Sequence, residues 1–145
     1  LHGVPTKMVR PFNVYGPGAS TDGAYALVVG RFLEQRKRGE PMTIAPDGTQ
    51  SRAFTHVRDV VRANILAMET SKVGKGEVIN IGSNKDYSVN AVAALIGGPT
   101  VFIDPRIEPK RTIADNKKAK ELLNWEPTIS FEDGIAELKK LFGLG

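Results

Sequence analysis

Hydrophobic positions along this chain follow two periods, and Gly, Pro and Asn punctuate the change from one to the other. Thr6-Lys7-Met8-Val9 reads as a buried strand, extended to cover 7–14, and Tyr15-Gly16-Pro17-Gly18 is the turn that ends it. After a Gly-rich loop from Gly16 to Gly23, Tyr25, Val28, Val29, Phe32 and Leu33 recur at i, i+3, i+4, i+7 and i+8, the spacing of an amphipathic helix. Gly39 and Pro41 close it, with Arg36-Lys37-Arg38 where cations oppose the helix dipole. A short strand over 42–45, the turn Pro46-Asp47-Gly48-Thr49 and a second short strand over 54–57 follow, which leaves Arg52 beside the turn.

Asp59 opens the next helix, with Val60, Val61, Asn64, Ile65 and Met68 as its expected inner face. Glu77 to Ile81 is a strand with an apolar centre, ended by Gly82. Ser88 is placed to cap a helix running to Ile96, closed by Gly97-Gly98-Pro99. Val101-Phe102-Ile103 is a short strand that feeds a Pro-rich loop carrying Arg106, Glu108 and Arg111. Asp115 is expected to cap a helix over 116–123, with Asn124 in the left-handed position that Asn tolerates. Ser130 with Asp133 has the spacing of a capping box, and the last helix should bury Ile135, Leu138 and Leu141 against Trp125 or Phe131. Strands alternating with helices make this an α/β chain. The strands around Val9 and Ile79 read as interior parallel strands, and only part of their sheet is expected here.

Composition narrows the function classes. The 145 residues suffice for one domain with a core, and 41% hydrophobic with 25% charged residues is ordinary for a globular protein. A formal charge of +4 is mild, and the few aromatics are not interleaved with the basic runs, which argues against nucleic acid as a partner. No cysteine is present, which excludes disulfides, a thiol nucleophile and cysteine-based metal sites. His2 and His56 are too isolated for a metal site, and no Ser-His-Asp arrangement is suggested. The longest apolar run is far short of the ~18 residues that span a bilayer, so no membrane partner is expected. A reducing cytoplasm fits best. The chain begins Leu1-His2-Gly3-Val4-Pro5 without an initiating Met, which reads as a piece of something longer.

The candidate chemistry centres on Asn13, at the carboxyl end of the first strand and before a Gly/Pro turn, where open α/β sheets place ligand-binding residues. Gln50 to Val57 and Arg106 to Arg111 are expected to converge on that point, each bringing a fixed positive charge on a loop. Two such loops and an Asn suit a phosphate-bearing ligand.

Four motifs then stand in order: Arg10-Pro11-Phe12-Asn13-Val14-Tyr15-Gly16-Pro17, Asp47 to Val57, Asn80-Ile81-Gly82, and Ala114-Asp115 with Leu123-Asn124-Trp125-Glu126-Pro127. Together they resemble the C-terminal, substrate-binding part of NAD-dependent epimerases/dehydratases of the extended short-chain dehydrogenase family, most like UDP-glucose 4-epimerase. The resemblance covers essentially the whole chain. It implies partial Rossmann-type parallel strands plus a small α/β substrate-binding lobe, with residues 1–145 forming that single portion and the N-terminal NAD-binding half absent. The implied chemistry is hydride transfer between a bound nicotinamide and a sugar carbon, assisted by a Tyr–Lys pair. No Gly-x-x-Gly-x-x-Gly turn follows a strand here. No tyrosine has a Lys four residues on: Tyr15 is followed there by Ala19, Tyr25 by Val29 and Tyr87 by Ala91. No catalytic residue is therefore assigned, and the chain alone is expected to be inactive.

By the same resemblance, Pro11 and Phe12 would lie near the nicotinamide of NAD, Asn13 would bond the nucleotide portion, and Arg52 would hold the diphosphate. Arg106 and Glu108 match a loop in which Arg binds phosphate and an acid binds ribose, with Arg111 as the alternative phosphate ligand. Here that loop is one residue shorter and lacks its Gly. Val28 and Thr43 would line the base pocket. Ala53 stands where many members have Asp and some decarboxylases have Ala, and Ala45-Pro46 replaces an aromatic-Gly pair, so reaction and base stay open. The nucleotide sugar is the implied partner. A different class of function, a non-catalytic module pairing with the missing half or with another copy of itself, follows from strands near Val9 and Ile79 left without neighbours.

Overall fold

The computed structural model describes residues 3–23, 26–105 and 107–145, so the expectations for His2, Tyr25 and Arg106 lie outside the described residues. Strand β1 (Thr6–Pro11) runs parallel to β6 (Lys75–Ile81), with Val9 opposite Ile79. Asn13 interrupts the predicted single strand: its φ of 39° turns the chain, and β2 (Val14–Tyr15) leaves to pair in parallel with β5 (Thr55–His56). Strand β3 (Met42–Ile44) pairs in parallel with β8 (Thr100–Phe102). Strand β4 (Ser51–Ala53) lies between β7 (Asp86–Ser88), antiparallel, and β9 (Arg111–Thr112), parallel. The parallel pairs and intervening helices bear out the α/β class. Arg52 belongs to β4 rather than to a loop beside the turn, and neither β7 nor β9 was legible in a pattern two or three residues long.

Two cores divide the molecule. The first joins α1 (Val28–Lys37), α3 (Val89–Ile96) and α5 (Phe131–Leu141) over β3, through Phe32, Leu33, Met42, Val92, Phe131 and Ile135. The second joins α2 (Val57–Glu69) and α4 (Lys117–Leu123) to the β1–β6 pair, through Ala63, Ala67, Ile79, Ile81, Leu123 and Trp125. Phe131 and Trp125 thus serve different cores. Helix α5 packs on the first, while Leu141, expected inside, is 62% exposed near the helix end.

Helix α2 turns a different face inward from the one its large residues suggested. Val60, Ala63 and Ala67 are buried, while Val61, Ile65 and Met68 face outward. This seam meets β1, β6 and α4 in the second core. Lys7 of β1 reaches the end of α2 and donates to the carbonyls of Met68 (3.2 Å) and Thr70 (2.6 Å). This supplies the cation that the last turn of α2 lacks. Among the described residues strand β1 is covered on one face, and Met8 on the other is 55% exposed.

Asp59 ties the cores together. Its carboxylate accepts from Thr128 N, Thr128 Oγ1, Ile129 N and Arg62 Nη2 at 2.8–3.0 Å, and its carbonyl accepts from Trp125 Nε1 at 3.0 Å. Burial alone would raise its pKa, but these donors outweigh it and hold the carboxyl below its usual range. Capping follows the sequence at Ser88, whose Oγ accepts from Ala91 N, and at Asn124, with φ 50°. At α4 the capping residue is Asn116, whose side chain is drawn away to the backbone of Gly82; Asp115 still accepts from Lys117 N at 3.0 Å. Ser130 Oγ accepts from Asp133 N, and Asp133 meets the hydroxyl rather than the Ser130 amide, being too short to reach back.

Candidate functional site: a cation-walled pocket

An open cavity of about 320 Å³ lies above the first core. One wall is the start of α1, with Leu27, Val28 and Arg31; the floor is Thr43 and Ala45 of the β3 segment, with Phe54; Asn13, Gln50 and Arg52 form the far side. Ile103, Ile107 and Glu108, from the loop between β8 and β9, close the rim. Five of the residues singled out from sequence thus meet here: Asn13, Val28, Thr43, Arg52 and Glu108.

Each is positioned by local structure. The left-handed turn at Asn13 aims its side chain across to β4, where Nδ2 donates to Ala53 O at 2.9 Å. One of its two amide N–H groups is thereby used in the fold. Arg52 Nη1 donates to Ser51 O at 2.8 Å and Nη2 to Glu108 Oε2 at 2.9 Å. Gln50 Nε2 donates to the other Glu108 oxygen at 3.2 Å. Thr43 is held from α1, where Gln35 Oε1 accepts from its amide and Gln35 Nε2 donates to its hydroxyl. Val28 sits in the first turn of α1 and supplies apolar surface.

Other expected site residues go elsewhere. Arg111 does not line the cavity. It pairs with Asp86 through two bonds, Nε to Oδ2 at 2.8 Å and Nη2 to Oδ1 at 2.9 Å. With Ser51 Oγ donating as well, these bonds lower the Asp86 pKa from 3.8 to about 2. Arg111 therefore fastens β9 to β7 across β4. Pro11 and Phe12 stand at the carboxyl end of β1, outside the cavity, where Phe12 N donates to Ile81 O at 2.9 Å. A Cβ at Gly82 would collide with the side chain of Ala114, which favours glycine there. Arg31 was missed, although it stands at i+3 from Val28 on the same helical face. Arg31 has no ion-pair partner among the described residues.

Parallel strands with helical crossovers and a cation-bearing pocket beyond a strand end are features of the Rossmann-related class of α/β proteins. The model of the NAD dependent epimerase/dehydratase family matches residues 1–82. The chain belongs to that family. It is 37% identical to the UDP-N-acetyl-alpha-D-glucosaminuronate decarboxylase of Bacillus cytotoxicus, over 98% of this chain and 47% of the relative. It is 36% identical to the UDP-glucuronate 4-epimerase of Thermodesulfobacterium geofontis, over 93% and 42%. Among solved structures it matches the UDP-glucose 4-epimerase of Thermotoga maritima with UDP-glucose, at a TM-score of 0.87 and 39% identity, covering 98% of this chain and 47% of that one. The UDP-glucuronic acid 4-epimerase of Bacillus cereus, in complex with UDP-glucuronic acid and NAD, matches at 0.83 and 34%, covering 96% and 45%. The chain spans about half the length of the relatives it matches.

Proposed function

We propose that this chain is the nucleotide-sugar-binding portion of an NAD-dependent sugar-nucleotide epimerase/dehydratase of the UDP-glucose 4-epimerase kind, cytoplasmic, with the NAD-binding half outside residues 1–145. The observation that carries the reading is the placement of Arg52, an always-charged fork, in the wall of a cavity that also holds Asn13, Val28, Thr43 and Glu108. Arg52 would take the diphosphate, Asn13 Oδ1 a donor of the nucleotide portion, Glu108 the ribose hydroxyls, and Val28 with the Thr43 segment the base. Arg106 joins this reading from sequence alone; Arg111, committed to Asp86, leaves it.

Toward NAD the chain offers one apolar wall, Pro11 and Phe12 at the end of β1, and no diphosphate cradle among the motifs present. That fits a cofactor held mainly by another segment. Bound NAD would supply the hydride acceptor; the residues here would orient the sugar nucleotide against it. The pure chain should show no NAD-dependent epimerisation, and turnover by it would refute that.

The deciding experiment titrates the isotope-labelled chain with UDP and follows backbone amide shifts, with Arg52→Ala as control. Saturable shifts near Asn13, Arg52 and Glu108 that vanish in the variant are expected. A dispersed spectrum without shifts would sink the binding assignment for the isolated chain. A second reading, a self-associating module, is favoured by the uncovered positions Met8, Val61, Ile65 and Met68. Light scattering separates it from the first.

A further inference from the structure

The Arg52–Glu108 pair has a consequence for which ligands the pocket admits. Arg52 is the cation of the far wall, and only 17% of its side chain is exposed, while Glu108 on the rim is 37% exposed. The guanidinium already has an anion: Glu108 Oε2 lies 2.9 Å from Nη2. The second carboxylate oxygen accepts from Gln50 Nε2 at 3.2 Å, and Gln50 also reaches Ala45 O at 3.4 Å. The pocket therefore contains its own counter-ion, held at both oxygens.

An arriving phosphate oxygen must share Arg52 with Glu108 or replace it there, and in either case the carboxylate faces a like charge in the cavity. A bare anion brings nothing to offset this. A ligand whose anion is attached to a polyhydroxylated group brings hydroxyl donors that the carboxylate can accept. We propose that Glu108 is a specificity-determining residue: it acts as the resident counter-ion of Arg52, so that the site rejects free phosphate and pyrophosphate and admits anions that carry hydroxyl donors beside the charge. The inference rests on the nucleotide-sugar reading for its preferred ligand class, but its exclusion of bare anions is testable without it.

The test compares Kd for inorganic pyrophosphate and for UDP by calorimetry, in the wild-type chain, Glu108→Gln, Gln50→Ala and Arg52→Ala. Glu108→Gln removes the competing charge and keeps the shape, so pyrophosphate should bind about threefold tighter or more. UDP should gain less or lose affinity, narrowing the preference between the two ligands. Gln50→Ala, which loosens the carboxylate without discharging it, should give a smaller gain for pyrophosphate. Arg52→Ala should weaken pyrophosphate binding, with Arg31 left as a cation of the cavity. An unchanged or weaker pyrophosphate affinity in Glu108→Gln overturns the proposal, as does a failure of every variant to bind pyrophosphate. If pyrophosphate behaves as expected while UDP binds nowhere, the nucleotide reading fails and the counter-ion role stands.

Discussion

Asp59 shows how much one carboxylate can organise. It sits 1% exposed, accepts from two amides, a hydroxyl and a guanidinium, and thereby joins the start of α2 to the segment leading into α5. Asp59→Ala would strand the Thr128 and Ile129 amides without partners, at a cost of about 3 kcal/mol, read as a lower urea midpoint. The pH dependence has a definite sign. Asp59 and Asp86 are both depressed in the fold, so each contributes stability that is present above its unfolded pKa and lost as pH falls through its folded value. For Asp86 that window runs from 3.8 down to about 2, and Asp86→Asn should flatten the acid limb of the stability curve there. An unchanged acid limb would mean the Arg111 pair forms in the unfolded chain too. These side chains show where single residues were legible. Ser88 and Asn124 announce themselves because capping is local chemistry; Asp59 looked like a helix opener, and its role as a tie to residues far along the chain had no local signature.

At the scale of elements, α2 is the instructive case. Its large residues Val61, Ile65 and Met68 have the i, i+4, i+7 spacing of a core face, yet the buried seam is Val60, Ala63 and Ala67. A hydrophobic period reports that a helix has an apolar side, and where two apolar stripes adjoin it does not say which one meets a neighbour. Ala63→Leu should overpack the second core and cost about 1–3 kcal/mol. Met68→Gln, at 78% exposure, should change stability by less than about 0.5 kcal/mol. Equal effects in thermal or urea unfolding would contradict this assignment of faces. Helix α1 was simpler to read, since Val29, Phe32 and Leu33 form one stripe and all three are buried. The site divides in the same way. Val28 lies in the cavity because helical spacing put it there, whereas Arg52 and Arg111, both candidates for phosphate, were separated only by the pairing of β4 with β7 and β9.

For the molecule as a whole, uncovered apolar surface is the outstanding feature. Met8 on the open side of β1 and, beyond the opposite side of that strand, the outer stripe of α2 are apolar and exposed. The edge itself carries Lys7 and Arg10, and charges on an edge strand oppose pairing with another copy. The chain should therefore run as a 15.7 kDa monomer in light scattering while binding a hydrophobic dye, and Met8→Lys with Ile65→Lys and Met68→Lys should remove the dye signal. A stable dimer would favour the self-associating reading instead. No helix among the described residues is long and apolar enough to cross a membrane.

The sequence by itself determined the α/β class and most element positions, because periodicity, caps and Gly/Pro punctuation act over a few residues and are written in consecutive letters; the family was legible as a resemblance carried by four motifs in order. Only the tertiary structure decided which face of α2 is buried, that two cores exist, that Arg111 is spent on Asp86, and that Glu108 already occupies Arg52. Those outcomes depend on distances between residues far apart in the chain, where two cations or two apolar stripes of equal local merit are told apart by what happens to lie within a few ångströms of each.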